Sequence, residues 1–125
     1  MTDIRDITQS VLDDVFFGTV PVYAEDSDPE SGLPEEYIVH DVVYSLPHEW
    51  ADGRVLSVRE GVDVSYYCKT RSKKTVRLRR IHETMLAAGF LPVEGFADLP
   101  RGEQTGYYGA NAEYVMHRVV TDDGG

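Results

Sequence analysis

Three acids in "AEDSDPESGLPEE", residues 24–36, alternate as the first ligands of a calcium loop do: Asp26, Asp28 and Glu30. Carboxylate oxygens at that spacing would suit a hard divalent cation. The pattern then breaks. A calcium loop needs Gly at its sixth position for the sharp turn and Glu at its twelfth for bidentate ligation, and this chain has Ser31 and Tyr37 there. With six acids, two prolines and one glycine, the stretch reads as an exposed acidic loop. The other reactive side chains are isolated as well. His40, His48, His82 and His117 fall on separate elements without the spacing of zinc ligands. Glu49 and Asp52 flank Trp50 and could move protons, but the sequence supplies no partner for them. Cys68 is the single cysteine, which excludes an intrachain disulfide. Lys69 and Arg71 beside it would favour a thiolate; its place on the apolar side of a strand favours plain core packing.

The nucleophile elbow G-x-S-x-G, the Walker loop, G-x-G-x-x-G and H-E-x-x-H are all missing. The expectation is a protein that is not an enzyme and takes no cofactor or metal. No apolar run approaches the roughly 20 residues of a membrane span. The start, "MTDIRDITQS", lacks the apolar centre of a signal peptide. A soluble protein made in cytoplasm, with no membrane partner, is expected.

The strongest signal is a charge run, "KTRSKKTVRLRRIH", residues 69–82, which holds Lys69, Arg71, Lys73, Lys74, Arg77, Arg79 and Arg80 and no acid. Seven positive charges in a chain of net charge −10 leave −17 on the remaining residues. The protein is an acidic body with one basic patch. Three readings follow. Long cations can line a solvated helix face, covering apolar surface with their stems. They can grip phosphate, making 69–80 a small nucleic-acid-binding module with Tyr66 or Tyr67 stacking on bases, although no helix-turn-helix, zinc finger or RNA-binding signature accompanies them. Or they can meet an acidic surface of another protein or another copy of the chain, in head-to-tail contacts that close into a ring when the rotation permits.

The elements that must position this run are legible from periodicity. Ile4, Ile7, Val11 and Val15 place one apolar stripe on a helix over 3–16, with Thr2 as N-cap, Asp3 at the positive end of the dipole and Gly18 as the stop. "TVPVY" starts a short strand and "YIVHDVVYS", 37–45, is a strand rich in branched and aromatic residues. "LPHEWADG" reads as a connection turning at Asp52-Gly53. Beyond it Leu56, Val58, Val62, Val64, Tyr66 and Cys68 alternate with Ser57, Arg59, Asp63 and Ser65. A continuous strand of that length would span roughly 45 Å, so either Glu60-Gly61 bends it or part projects as an arm. Val76, Leu78, Ile81, Met85, Leu86 and Ala88 give a helix over 72–88, capped by Ser72 and stopped by Gly89, with Lys73 and Lys74 opposing its dipole. "LPVEGFA" and "YYGANAEYVMHRVV" are two more strands around the turn "DLPRGEQTG". The expected fold is one α+β domain over 1–120, an antiparallel sheet of four to five strands with two helices packed on one face, followed by a frayed tail over 121–125.

Taken together, "PEEYIVHDVVY", "REGVDVSYYCKTRSKKTVRLRRIHETMLAAGF" and the closing "YYGANAEYVMHRV" resemble the tail terminator, or tail completion, proteins of long-tailed bacteriophages. In that family a "Y-I-V" strand, a "V-x-V-x-x-Y-x-K" strand, a helix ending in "A-G-F" and an aromatic last strand recur. The resemblance covers roughly residues 4–120, and leaves the acidic loop 24–36 and the surroundings of Trp50 unmatched. It implies a structural virion protein at the neck end of the tail. Such a subunit forms a ring with copies of itself, typically a hexamer, on the tail tube protein, and meets the head-completion or connector protein. DNA is only passing cargo. An acidic wall suits that passage, since it repels phosphate and lets the duplex slide. Within this reading Lys73, Lys74, Arg77 and Arg80 are the candidate subunit or partner interface, with acids from Glu25 to Glu36 as candidate counterparts.

Overall fold

The structure is a computed structural model that describes residues 3–24, 34–99 and 107–120. The expected cap Thr2, the calcium-like acids Asp26, Asp28 and Glu30, most of the turn after Leu99 and the tail 121–125 lie outside the described residues.

Helix α1 runs Ile4–Phe16. Its N-cap is Asp3, whose carboxylate accepts from the Arg5 amide at 2.8 Å, so the residue expected to serve the dipole also closes the first turn. The buried line is Ile4, Thr8, Leu12 and Phe16, with Ile7, Val11 and Val15 half-buried beside it. Thr8 is tolerated there because its hydroxyl donates to the Ile4 carbonyl at 2.8 Å. After Phe16 the chain turns through Gly18, whose φ of +79° is open to glycine at little cost.

Strand β1, Val22–Ala24, pairs in parallel with the start of β2, Glu36–Ala51. The sheet is therefore mixed, not antiparallel throughout; the acidic stretch between these strands carries no feature by which the sequence distinguishes a crossover from a hairpin. Strand β3, Arg54–Cys68, returns antiparallel to β2 along nearly its whole length. The segment read as a connection, 46–51, is thus strand, and Asp52-Gly53 is the hairpin turn. Both residues have positive φ, 53° and 73°, the backbone twist that a two-residue hairpin needs. Outward of the Ser57↔Val119 pairing no strand among the described residues lies beside the hairpin, which projects as an arm. Four residues inward of that point a bulge at Val43 lets the Tyr44 ring lie across Gly61. Of the two sequence alternatives the arm is the one found: β3 keeps unbroken register with β5 through Glu60 and Gly61, and the bulge lies opposite them on β2.

After a short 3₁₀ turn at Arg71–Lys73, helix α2 spans Lys74–Ala87 and ends at Gly89, φ +97°. Ser72 lies inside the 3₁₀ turn and caps nothing, and the first turn of α2 has no side-chain cap at all. Strands β4, Leu91–Leu99, and β5, Tyr108–Val119, complete the order β1-β2-β3-β5-β4. Asp98 and Leu99 extend β4 into what the sequence suggests is turn.

Both helices cover the same face. Ile38, Val62, Val64, Tyr66, Cys68, Ala112 and Tyr114 point toward them and meet Leu12, Phe16, Ile81, Met85 and Phe90 in one apolar core. The α+β class with two helices on one face stands. Val76 and Leu86, counted in the apolar pattern that gives α2, are 64% and 41% exposed.

Candidate interaction surfaces

The basic run divides once the chain is folded. Arg77 turns inward along α2, and its Nε and a terminal nitrogen each donate to Glu36 at 3.1 Å. Glu36 opens β2 and is 8% exposed, and a third hydrogen bond comes from the Tyr66 hydroxyl at 2.6 Å. Burial alone would raise the Glu36 carboxyl, but the Arg77 and Tyr66 hydrogen bonds and the charges of Arg77 and Lys73 outweigh it and hold the group below its usual range. Tyr66 is pushed up, first by burial and then by the carboxylate it serves. Lys74 pairs with Asp98 on β4. Two of the four expected interface cations, Arg77 and Lys74, therefore have acidic partners within their own chain.

The other two face outward. Arg80 lies 4.0 Å from Glu83 in an exposed, one-turn pair of the kind worth little. Among the described residues Arg71, Lys73 and Arg79 have no carboxylate within ion-pair distance. Val76 and Leu86 stand in the same stripe, since 76, 79, 80, 83 and 86 share a side at helical spacing. The outer face of α2 is therefore cationic with an exposed apolar residue toward each end.

The opposite side of the sheet has no element over it among the described residues. At one end Tyr37 stacks on Tyr67 with centroids 5.0 Å apart and meets Tyr23 and Tyr107 edge-on. Burial, then the neighbouring tyrosines, push Tyr37 up to about 12. Tyr107 donates to the Pro34 carbonyl and lies under the Lys69 ammonium, 5.3 Å from its ring centre. Neither tyrosine considered for base stacking is free: Tyr66 faces the core, and Tyr67 has one ring face against Tyr37.

In the middle of this open face Asp41, Asp63 and Glu113 are register partners on β2, β3 and β5, and Glu113 in turn faces Glu94 on β4. At about 4.8 Å per strand the four carboxylates form a row roughly 14 Å long. Like charges placed opposite each other destabilise a sheet. Burial first, then Glu113 and Asp41, push the Asp63 carboxyl upward. The row runs across the strands without converging: among the described residues no three His, Cys, Asp or Glu are placed to hold one metal ion.

Farther out the same face carries Tyr44 with the Arg59 guanidinium 5.9 Å from its ring centre, then His48 stacked on His117 at 4.5 Å. Leu46 on β2 and Trp50 on the arm are 54% and 65% exposed. The sequence signals for the acidic row are present but slight: one acid sits at the centre of each of "IVHDVV", "VDVS" and "NAEYV". Only the strand register aligns them.

Cys68 is buried and free, and burial pushes its thiol up, away from the thiolate a nucleophile needs. Glu49 makes a hydrogen bond with Ser57 at 3.2 Å, within the arm. No helix among the described residues is long and apolar enough to cross a membrane. No protein-family model matches the chain, and no curated protein matches it.

Proposed function

We propose that the chain is a structural virion protein, a tail terminator whose copies form a ring on the phage tail tube and join it to the head connector. The observation that carries this reading is the partition of the basic run. Where a cation is needed for folding, it has an acid of its own chain beside it, as Arg77 and Lys74 do. Lys73, Arg79 and Arg80 are left outward together with Val76 and Leu86, a mixture of charge and apolar area that suits protein contact better than pure solvation. The sequence likeness to tail terminators gives the setting: tail tube and connector as partners, the virion neck as location, and DNA as passing cargo.

The experiment is to add the purified protein to a polymerising phage tail tube protein from the same source genome. Tubes that stop growing and carry a cap at one end support the reading, and tubes of unaltered length without a cap refute it.

Residues 69–80 as a nucleic-acid module is the second reading, favoured by the same outward cations. The carboxylate row on the open face opposes it, and the tyrosines beside the run are engaged within the fold. Retardation of duplex or single-stranded DNA by about micromolar protein at physiological salt would establish it, and no retardation would remove it.

A further inference from the structure

We infer that the open sheet face of one copy, centred on the row Asp41, Asp63 and Glu113, is the docking surface for the outer face of α2 of a second copy. The inference rests on the ring reading and adds which two surfaces meet. Among the described residues each surface lacks what the other supplies. Asp63 stands between two like charges, Asp41 and Glu113, and among the described residues none of the three takes part in an ion pair. Arg71, Lys73 and Arg79 have no carboxylate within ion-pair distance among the described residues. The sizes agree as well. The row from Asp41 to Glu113, about 10 Å across three strands, matches the rise of about 10 Å from residue 73 to residue 80 along α2.

The two surfaces lie on opposite sides of one sheet, so one copy cannot satisfy itself and two copies cannot satisfy each other by a twofold exchange without leaving the geometry unused on the outer sides. The contact is head-to-tail and propagates to a third copy, which is the condition for a ring. Val76 and Leu86 would lie beside the polar stripe, and on the sheet the half-buried tyrosines and Tyr44 border the acids, so apolar contact rims the charge on both sides.

The test is a charge exchange read by sedimentation, alone or on tail-tube ends, whichever supports assembly of the unmodified protein. One variant carries Arg79→Glu and Arg80→Glu, the other Asp63→Lys and Glu113→Lys. All four positions are on surfaces, and circular dichroism with a melting curve confirms that each variant is folded. The expectation is that each variant alone assembles at least about tenfold more weakly and that an equimolar mixture recovers assembly, because the reversed helix of one fits the reversed sheet of the other. A milder variant, Asp63→Asn with Glu113→Gln, should also weaken assembly without altering the fold. If the unmodified protein assembles and each charge-reversed variant assembles equally well, or if the mixture fails to recover what the variants lose, the docking is overturned while the ring reading stands. If the unmodified protein stays monomeric up to about 1 mM and on tube ends, the ring reading falls and the docking with it.

Discussion

Arg77 on α2 holds Glu36 at the start of β2 through two nitrogens, each 3.1 Å from a carboxylate oxygen, while Tyr66 on β3 donates to the same carboxylate. Three elements distant in sequence meet at one charge. This cation fastens the fold, so it is the wrong residue with which to probe assembly.

Arg77→Met should lower the unfolding free energy by about 2 to 4 kcal/mol, because it leaves the Glu36 carboxylate buried with only the Tyr66 hydroxyl. Arg79→Met, on the outer side of the same helix, should change it by less than about 0.5 kcal/mol. Urea unfolding of the two variants at neutral pH checks the contrast.

His40 governs the response to mild acid. It is 1% exposed, its Nε2 is 2.6 Å from Gln9 Oε1, and among the described residues its buried Nδ1 has no hydrogen-bond partner. Burial, with Arg5 adding to it and Asp13 and Asp41 opposing, holds the imidazole below its ordinary value of 6.5. A group lowered in this way is neutral when folded and takes up a proton on unfolding. Stability from this source is therefore complete above about pH 6.5 and is lost as pH falls below it, by at most about 1.4 kcal/mol per pH unit. Melting temperatures measured at intervals from neutral to about pH 5 should show the loss, and His40→Met should flatten it.

Glu36 adds a second loss at lower pH. Its carboxyl is held below the ordinary 4.5, so its contribution is present above that value and disappears as pH falls through the folded value. In Glu36→Gln this lowest-pH step should be absent from the acid titration followed by circular dichroism.

Asp63 has the opposite sign. Its carboxyl is raised by burial and by Glu113 and Asp41, so ionisation at neutral pH works against the folded monomer. Asp63→Asn should raise the melting temperature of the monomer at neutral pH, and the gain should vanish below the ordinary value of 3.8, where the native side chain is also protonated. An acid kept at a position where it weakens its own sheet is consistent with a contact outside the chain.

Inward of the arm, a Cβ on Gly61 would come within 2.5 Å of the Tyr44 ring. Gly61→Ala must displace that ring from Arg59, at about 1 to 3 kcal/mol. Tyr44→Ala in the same chain should recover part of the loss. Trp50, the single tryptophan, is 65% exposed, so Trp50→Ala should leave stability within about 0.5 kcal/mol, and its emission should report a water-facing indole in the free protein.

Much of this architecture is legible in the chain, and the exceptions have physical causes. Period-two alternation over 60–68 and the Gly89 stop follow from local pattern alone. The parallel direction of β1 does not, because direction is set by where Ile38 pairs and not by the composition of the acidic stretch. Residues 46–51 mislead because Pro47 and exposed polar residues imitate a loop, whereas the arm has no core to bury and so no apolar side to reveal. Among the cations, spacing puts Arg77 and Arg80 almost on one side of a helix, yet only tertiary contact with Glu36 separates the inward cation from the outward one. The carboxylate row escapes the sequence for the same reason, since three acids far apart in the chain become neighbours only through register.

Electron microscopy of tail tubes assembled with and without this protein tests the central claim most directly. The account requires a ring at one tube end, with Lys73, Arg79 and Arg80 of each subunit against protein and tube length held constant. Tubes of unchanged length with bare ends, or protein found along DNA with those cations on phosphates, would contradict it.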